Sequence, residues 1–340
     1  MPVRARKIPA IVGPTACGKT SLALALAARL PLEIVCCDSR KVYRGLDIGS
    51  AKPTASERES ACFHLLDMVE PSAGFSVQEF VQAAHSAIAG IRERGRLPLL
   101  EGGTGLYIEA LAEGYDFGQA PPLRVLRRQF NQAWERGSEM LRSRVRSLPG
   151  AGAVDLDNPR RVIRLLERVL MSINEAECAA LLDALGFTPA QEEVMQARKA
   201  ASASRPQPLP PLVLMGYRLE VQREALEARI HTRTGQMLAN GLVDEVRTIL
   251  DAGVPPGAQS LSGIGYSEAV SFLQGDLSFQ ELAELITIHT RQYAKRQDAW
   301  NRSRFKHFTL LAFTTPAEQA EALHVIETDI RGEYPEAGSG

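Results

Sequence analysis

Ile8-Pro9-Ala10-Ile11-Val12-Gly13-Pro14-Thr15-Ala16-Cys17-Gly18-Lys19-Thr20 decides how the rest of this chain is read. The first five residues form a short apolar run of buried-strand type. After the loop, Leu22, Ala23, Leu26, Ala27 and Leu30 recur at helical spacing. Between strand and helix stands a G-x-x-x-x-G-K-[ST] pattern, in the context that gives it meaning. There backbone N–H groups and the helix N-terminus converge on an anion. Lys19 adds a charge and Thr20 a metal-facing hydroxyl, so the expected phosphate site is Gly13, Pro14, Thr15, Ala16, Cys17, Gly18, Lys19 and Thr20. The plain alternative, a turn without a ligand, is disfavoured by the flanking strand and helix. The loop alone does not say which phosphate compound it takes.

The chain has 340 residues, room for one large α/β domain and a smaller one. Its 45% hydrophobic and 23% charged residues are ordinary for a folded globular protein. A net charge of −1 points to no polyanionic partner, so any such partner must be argued from local charge. The five cysteines (Cys17, Cys36, Cys37, Cys62 and Cys178) lack metal-ligand spacing and read as free thiols of a reducing compartment. Cys17, at a helix N-terminus, reads as a candidate reactive thiol shielded by bound diphosphate. The first apolar run is too short for a signal peptide, and no stretch reaches the roughly 18 apolar residues of a membrane span. A cytoplasmic protein without membrane contact is expected.

Strand and helix alternate in the N-terminal part, which predicts a parallel sheet covered on both faces. Glu33–Cys37 reads as a second strand ending at Asp38. Ser76-Val77-Gln78-Glu79 has capping-box spacing and opens a helix that Gly95 stops. Leu97–Leu100 is a further strand running into Glu101-Gly102-Gly103-Thr104-Gly105. Ligands of open α/β sheets gather at the carboxyl ends of strands, so the phosphate loop, Asp38 and Gly102–Thr104 are expected to face one crevice. From about Tyr115 to Pro206 the chain becomes helical, arginine-rich and strand-poor, and Arg198–Pro211 reads as a loop. Val213–Tyr217 looks like a returning strand, amphipathic helices fill Gln222 to about Trp300, and Thr309–Phe313 reads as an edge strand. The Gly338-Ser339-Gly340 end is expected to fray. The resulting expectation is a P-loop NTPase-like α/β core of residues 1–114 and 207–340, interrupted by an all-helical insertion, 115–206.

Asp38, at a strand end beside the phosphate loop, is a candidate base or metal ligand; a turn cap is its plainer role. Glu101 could serve a metal's water shell, and Gly102–Gly105 offers a second nest of backbone N–H groups. Between Leu123 and Arg168 stand eleven arginines and five acids, a local charge of 11 − 5 = +6. Arg160, Arg161, Arg164 and Arg168 share one helical face suited to a sugar-phosphate backbone, although charge runs are often solvated faces. A second cationic run, Arg291 to Lys306, is interleaved with Tyr293 and Trp300. The six histidines show no metal-ligand grouping; His64 reads as structural or capping, and no catalytic zinc is expected.

In this order the motifs resemble the tRNA dimethylallyltransferase (isopentenyltransferase) family. The resemblance rests on Gly13–Thr20, Asp38-Ser39-Arg40-Lys41 through Pro53, His64-Leu65-Leu66-Asp67, and Gly102-Gly103-Thr104-Gly105-Leu106-Tyr107. It continues in Asn158-Pro159-Arg160-Arg161-Val162-Ile163-Arg164, Arg229–Arg233, Gly263-Ile264-Gly265-Tyr266 and Tyr293–Gln297. It implies that the phosphate loop holds dimethylallyl diphosphate, that Asp38 is the base toward an adenine amine, and that Thr104 and Arg233 stabilise the diphosphate. Mg²⁺ would sit at Thr20. It also implies that the insertion, through Arg124, Arg160, Arg161 and Arg164, grips the tRNA anticodon stem-loop. Asp38, Ser39, Arg40, Lys41, Gly263, Gly265 and Tyr266 would meet the tRNA. A monomer is expected.

The chain departs from that family's pattern at Cys17, where Ser is usual, at Lys41 for Gln, at Phe63 for His, and at Glu101 for an apolar residue. A small-molecule or nucleotide kinase using ATP at the same loop is the main alternative, and a regulatory NTPase or nucleic-acid-binding module the second. The basic insertion and the Asp38–Pro53 block speak against the kinase.

Overall fold

The computed structural model describes residues 6–115, 123–203 and 209–338. The chain divides into two compact units, one made of Met1–Tyr115 with Leu209–Gly340 and the other of Asp116–Pro208. The first unit begins with β1 (Ile8–Val12), α1 (Lys19–Ala27), β2 (Leu32–Cys36), α2 (Ala55–Ser60) and β3 (Phe63–His64). It continues with α3 (Val77–Glu93), β4 (Leu97–Gly102) and α4 (Gly105–Glu113). The second unit holds α5 (Arg124–Glu135), α6 (Glu139–Arg146), α7 (Pro159–Ser172), α8 (Glu175–Ala184) and α9 (Gln191–Ala203). The chain then returns through β5 (Leu214–Glu220), α10 (Arg223–Ala239), α11 (Leu242–Asp251), α12 (Tyr266–Leu273), α13 (Phe279–Arg304), β6 (Thr309–Ala312) and α14 (Pro316–Glu333).

The six strands form one parallel sheet in the order β3-β2-β4-β1-β5-β6. β1, β2 and β4 are buried at every position, which is why they read as continuous apolar runs and not as alternating ones. Leu22 and Leu26 of α1 pack with Ile326 and Ile330 of α14 against Ile34, Tyr217 and Leu219 of the sheet. Each such aliphatic side chain contributes about 1.5–3 kcal/mol on burial. α3 and α4 lie against the strands elsewhere, with Phe80 and Tyr107 stacked at 3.9 Å between centroids. The chain leaves β1 toward β2 and later returns on the other side of β1 as β5. The carboxyl ends of β1, β2 and β4 therefore open on a topological switch point.

The helical unit has its own core, with Leu126, Phe130, Leu141, Val162, Leu166, Leu170, Leu182 and Phe187 among its buried members. Its buried charge is Glu167, wholly inaccessible to solvent. That carboxylate accepts the Leu123 N–H at 2.9 Å, two bonds from Arg127 at 2.7 and 2.9 Å, and one from Arg164 Nη1 at 3.0 Å. Arg160, Arg161 and Arg168 are exposed on α7, as is Arg124 at the start of α5. Arg164, expected to face a phosphate backbone with them, is half-buried and bonded to Glu167.

The loop expected from Arg198 starts later. α9 runs to Ala203 because alanine-rich sequence favours helix, and the prolines begin only at Pro206. Residues 204–208 of that expected loop lie outside the described residues. At the C-terminal end, Pro335–Gly338 form a 3-10 turn, while Ser339 and Gly340 lie outside the described residues.

Candidate active site

The phosphate loop turns through two left-handed residues, Ala16 (φ 62°) and Gly18 (φ 96°). At Gly13 an added Cβ would stand 2.8 Å from Cys17 Sγ and 3.1 Å from Leu219 Cβ, so the tight start of the loop requires glycine. Lys19, 9% exposed, donates to Gly13 O at 3.1 Å and Pro14 O at 2.8 Å. The Thr20 hydroxyl donates to Glu101 Oε1 at 3.2 Å. Cys17 is fully buried beneath the loop, and burial pushes its thiol up despite the charge of Lys19. The expected reactive thiol is thus corrected: helix position lowers a thiol's pKa only where solvent also reaches it. Alkylation of Cys17 is expected to lag exposed Cys62 by more than about tenfold, with or without inorganic diphosphate, as mass spectrometry of partly labelled protein would show.

β2 ends at Cys36, two residues before Asp38. Its Oδ1 accepts the backbone N–H of Arg40 at 2.8 Å and of Lys41 at 3.4 Å, an Asx-type turn that fixes the carboxylate. Among the described residues no hydrogen bond reaches Oδ2. Thr104, at the start of α4, accepts the Ser39 N–H through Oγ1 at 3.1 Å, leaving its own hydroxyl proton to donate. Arg233, from α10, donates to Thr15 Oγ1 at 3.3 Å. Gln297, from α13, accepts the Thr15 N–H at 2.8 Å and donates to Gly103 O at 2.8 Å. It clips the loop after β1 to the loop after β4. Sequence alone assigns no role to Gln297, whose partners lie 282 and 194 positions away.

The Asp38–Pro53 segment is anchored from two sides. Lys52 Nζ donates to Asp47 Oδ1 at 2.7 Å, to Tyr43 O at 2.5 Å and to Asp67 Oδ1. Arg58 adds a 2.8 Å bond to Asp67 Oδ2. Glu245 accepts the N–H groups of Asp47 and Ile48 at 2.9 and 2.8 Å, and the Tyr266 hydroxyl at 2.8 Å. Tyr266 oxygen in turn accepts the Ser50 N–H at 3.0 Å. Tyr266, Gly263 and Gly265, expected to meet tRNA, are buried. Gly263 leaves room for Arg40, whose Cδ would stand 3.0 Å from a Cβ there; Gly265 (φ 90°) starts α12; Tyr266 holds the loop. Lys41 is likewise 6% exposed and faces inward.

Although burial pushes the other way, Lys52 and Arg58 hold the Asp67 carboxyl below its ordinary 3.8. A lowered folded pKa gives stability that is complete above about pH 4 and lost as pH falls through the folded value. Asp67→Asn is therefore expected to lower the urea midpoint at pH 6 and to flatten its fall toward pH 2, because the variant has no proton to take up there.

These elements enclose a cavity of about 1300 Å³. It is lined by Thr15, Ala16, Gly18, Lys19, Thr20, Asp38, Lys41, Glu101, Gly102, Gly103 and Arg233 of the expected residues and candidates. Arg229, Gln236, Tyr293 and Gln297 complete the wall toward the later helices. Burial lowers the Arg233 guanidinium, with Asp38 and Glu101 opposing. Burial works against the Lys41 ammonium too, yet Glu101, Cys36 and Asp38 leave it raised. The Tyr293 phenol is pushed up to about 12 by burial and by the charge of Asp38. Lys41 and Arg233 thus share this wall with two carboxylates, Asp38 and Glu101.

A family model described as "IPP transferase" matches residues 41–304. The chain belongs to this family. It is 37% identical over 303 residues to the tRNA dimethylallyltransferase of Pelotomaculum thermopropionicum, covering 88% of this chain and 89% of that protein. It is 35% identical to the enzyme of the same name from Thermomicrobium roseum, covering 97% and 94%. Among solved structures, the full-length tRNA isopentenylpyrophosphate transferase of Bacillus halodurans superposes with a TM-score of 0.67 at 32% identity, covering 98% of each chain. A eukaryotic dimethylallyltransferase solved acting on tRNA shares the fold, with a TM-score of 0.70 at 23% identity. The family's parallel, helix-flanked sheet is the fold seen here. Among the described residues, no helix is long and apolar enough to cross a membrane.

Proposed function

We propose that this protein transfers the dimethylallyl group of dimethylallyl diphosphate to the exocyclic N6 amine of the adenosine 3′ to the anticodon in tRNA. The observation that carries the reading is the meeting of the phosphate loop, Arg233 and the free Oδ2 of Asp38 in one cavity. The diphosphate lies on the loop N–H groups, with Lys19 and Arg233 at its oxygens. The C–O bond to the allylic carbon breaks as the N6–C bond forms. Negative charge grows on the leaving diphosphate, where preorganised donors stabilise it. An aniline-like amine is too weak an acid to ionise first, so Asp38 Oδ2 takes its proton as the bond forms. The Thr20 hydroxyl and Glu101 carboxylate are hard oxygen donors that fit Mg²⁺. When bound, Mg²⁺ would neutralise part of the diphosphate charge. A cavity of about 1300 Å³ holds a five-carbon diphosphate with space for an adenine turned out of its stack.

The two named relatives are both called tRNA dimethylallyltransferases, which supports the tRNA acceptor. Purified protein is expected to prenylate unmodified tRNA from dimethylallyl diphosphate and Mg²⁺ without ATP. ATP hydrolysis or phosphoryl transfer with no prenyl incorporation would sink the reading in favour of the kinase. The protein works as a cytoplasmic monomer, and its helical unit, Asp116–Pro208, grips the anticodon stem-loop. Arg124, Arg160 and Arg161, exposed in that unit, carry this grip. Replacing Arg160 and Arg161 with alanine is expected to reduce the slope of log Kd against log salt by about 1 per arginine. Arg164 is left out because its loss would also strip a partner from buried Glu167. An unchanged slope would place the tRNA elsewhere.

A further inference from the structure

Away from this cavity, at the edge of the sheet, three side chains of metal-ligating type meet. Cys62 and His64 are two positions apart on either side of Phe63, so both side chains leave the same face of the edge strand. In the parallel register Ile34 pairs with Phe63 and Val35 with His64, which sets Glu33 opposite Cys62 on that same face. The Ile34 N–H to Cys62 O bond at 2.8 Å fixes the two strands. The carboxylate, thiol and imidazole ligand atoms lie within 4.8 Å of one another. We propose that Glu33, Cys62 and His64 form a binding site for a borderline transition-metal ion of the Zn²⁺ type, separate from the prenyl-transfer cavity.

The distances carry the proposal. With Zn–S near 2.3 Å and Zn–N near 2.05 Å, the S···N edge of a tetrahedron is about 3.6 Å. Cys62 Sγ and His64 Nε2 stand 3.6 Å apart. The corresponding N···O edge is about 3.4 Å, against 2.7 Å between His64 Nε2 and Glu33 Oε2. That short contact holds one proton. The metal replaces it and opens the pair by about 0.7 Å, a movement within reach of a side-chain rotation. One thiolate and one carboxylate balance the two charges of the ion, and exposed Cys62 leaves the fourth position to water.

The groups that oppose a cation are Arg94, bonded to Glu33 at 2.6 and 3.2 Å, and Arg96, 3.9 Å from Glu33. Both arginine side chains are about half exposed and therefore hydrated, at 52% and 45%. A carboxylate has lone pairs enough to hold Arg94 and a metal together, the arrangement in which an outer partner orients a ligand. A soft sulfur and an imidazole in the set exclude Mg²⁺ and Ca²⁺.

Co²⁺ titrated into the full-length protein reads the site directly. A thiolate-to-cobalt charge-transfer band is expected to saturate at one equivalent. It should vanish in Cys62→Ala, a truncation at an exposed side chain. Zn²⁺ affinity, measured by competition with a chromophoric chelator, should fall by more than about 100-fold in Cys62→Ala and in His64→Ala. Zn²⁺ should also slow the alkylation of Cys62. No charge-transfer band at stoichiometric Co²⁺, or the same band in Cys62→Ala, would overturn the proposal. Co²⁺ bound by oxygen at Thr20 and Glu101 gives no such band, so the result stands apart from the prenyl-transfer assay.

Discussion

Asp38→Ala is expected to lower turnover by about 10²–10⁴-fold, the range of a lost general base, with tRNA and diphosphate affinities nearly unchanged. Asp38 Oδ1 also fixes the turn through the Arg40 and Lys41 N–H groups, so alanine removes a cap as well as a base. Asp38→Asn separates the two. Its amide oxygen can still accept both N–H bonds, but the group that replaces Oδ2 cannot take a proton at neutral pH. If Asp38 is the base, asparagine should be nearly as slow as alanine in single-turnover prenyl transfer. An asparagine variant within about tenfold of the native rate would reduce Asp38 to a structural turn residue. A large loss of tRNA affinity with normal turnover would assign it to binding.

The parts of this site that could be read from sequence are those fixed by local geometry. A glycine loop between an apolar strand and a helix can do little else, and Asp38 follows a buried strand of the same sheet. Ser76-Glu79 likewise marks a helix start by a bond between near neighbours. Thr315-Pro316-Ala317-Glu318 carries the same signal, with Leu323, Ile326 and Ile330 behind it, and opens α14. β3, two residues long, offers no period to detect.

What the chain order hides is burial and distant pairing. Tyr266 and Gly263 are buried, one bonding the Ser50 N–H and the other leaving room for Arg40, and no local spacing shows either contact. Cys17 stands where a helix dipole would activate it, and only the packed sheet shows that solvent does not reach it. Gln297 joins two loops whose proximity exists only after β1 and β4 have paired. Glu101 accepts the Thr20 hydroxyl, a pairing of residues 81 positions apart that the strand end alone does not show.

Lys41 and Glu101 face the same cavity, 6% and 2% exposed. Burial works against the Lys41 ammonium, and Glu101 is first among the charges that nonetheless raise it. Removing one member of a buried contact pair costs about 3–5 kcal/mol. No contact ion pair joins these two among the described residues, and the cavity admits water, so a smaller loss of about 1–2 kcal/mol is expected for Lys41→Met. Glu101→Gln keeps an acceptor for Thr20 and should cost a similar amount by leaving Lys41 unbalanced. The double variant should then recover most of the loss, with a coupling energy of about 1 kcal/mol or more in a urea-unfolding cycle. Strict additivity would mean that the two charges answer to other partners, Asp38 and Arg233 being the nearest candidates on that wall.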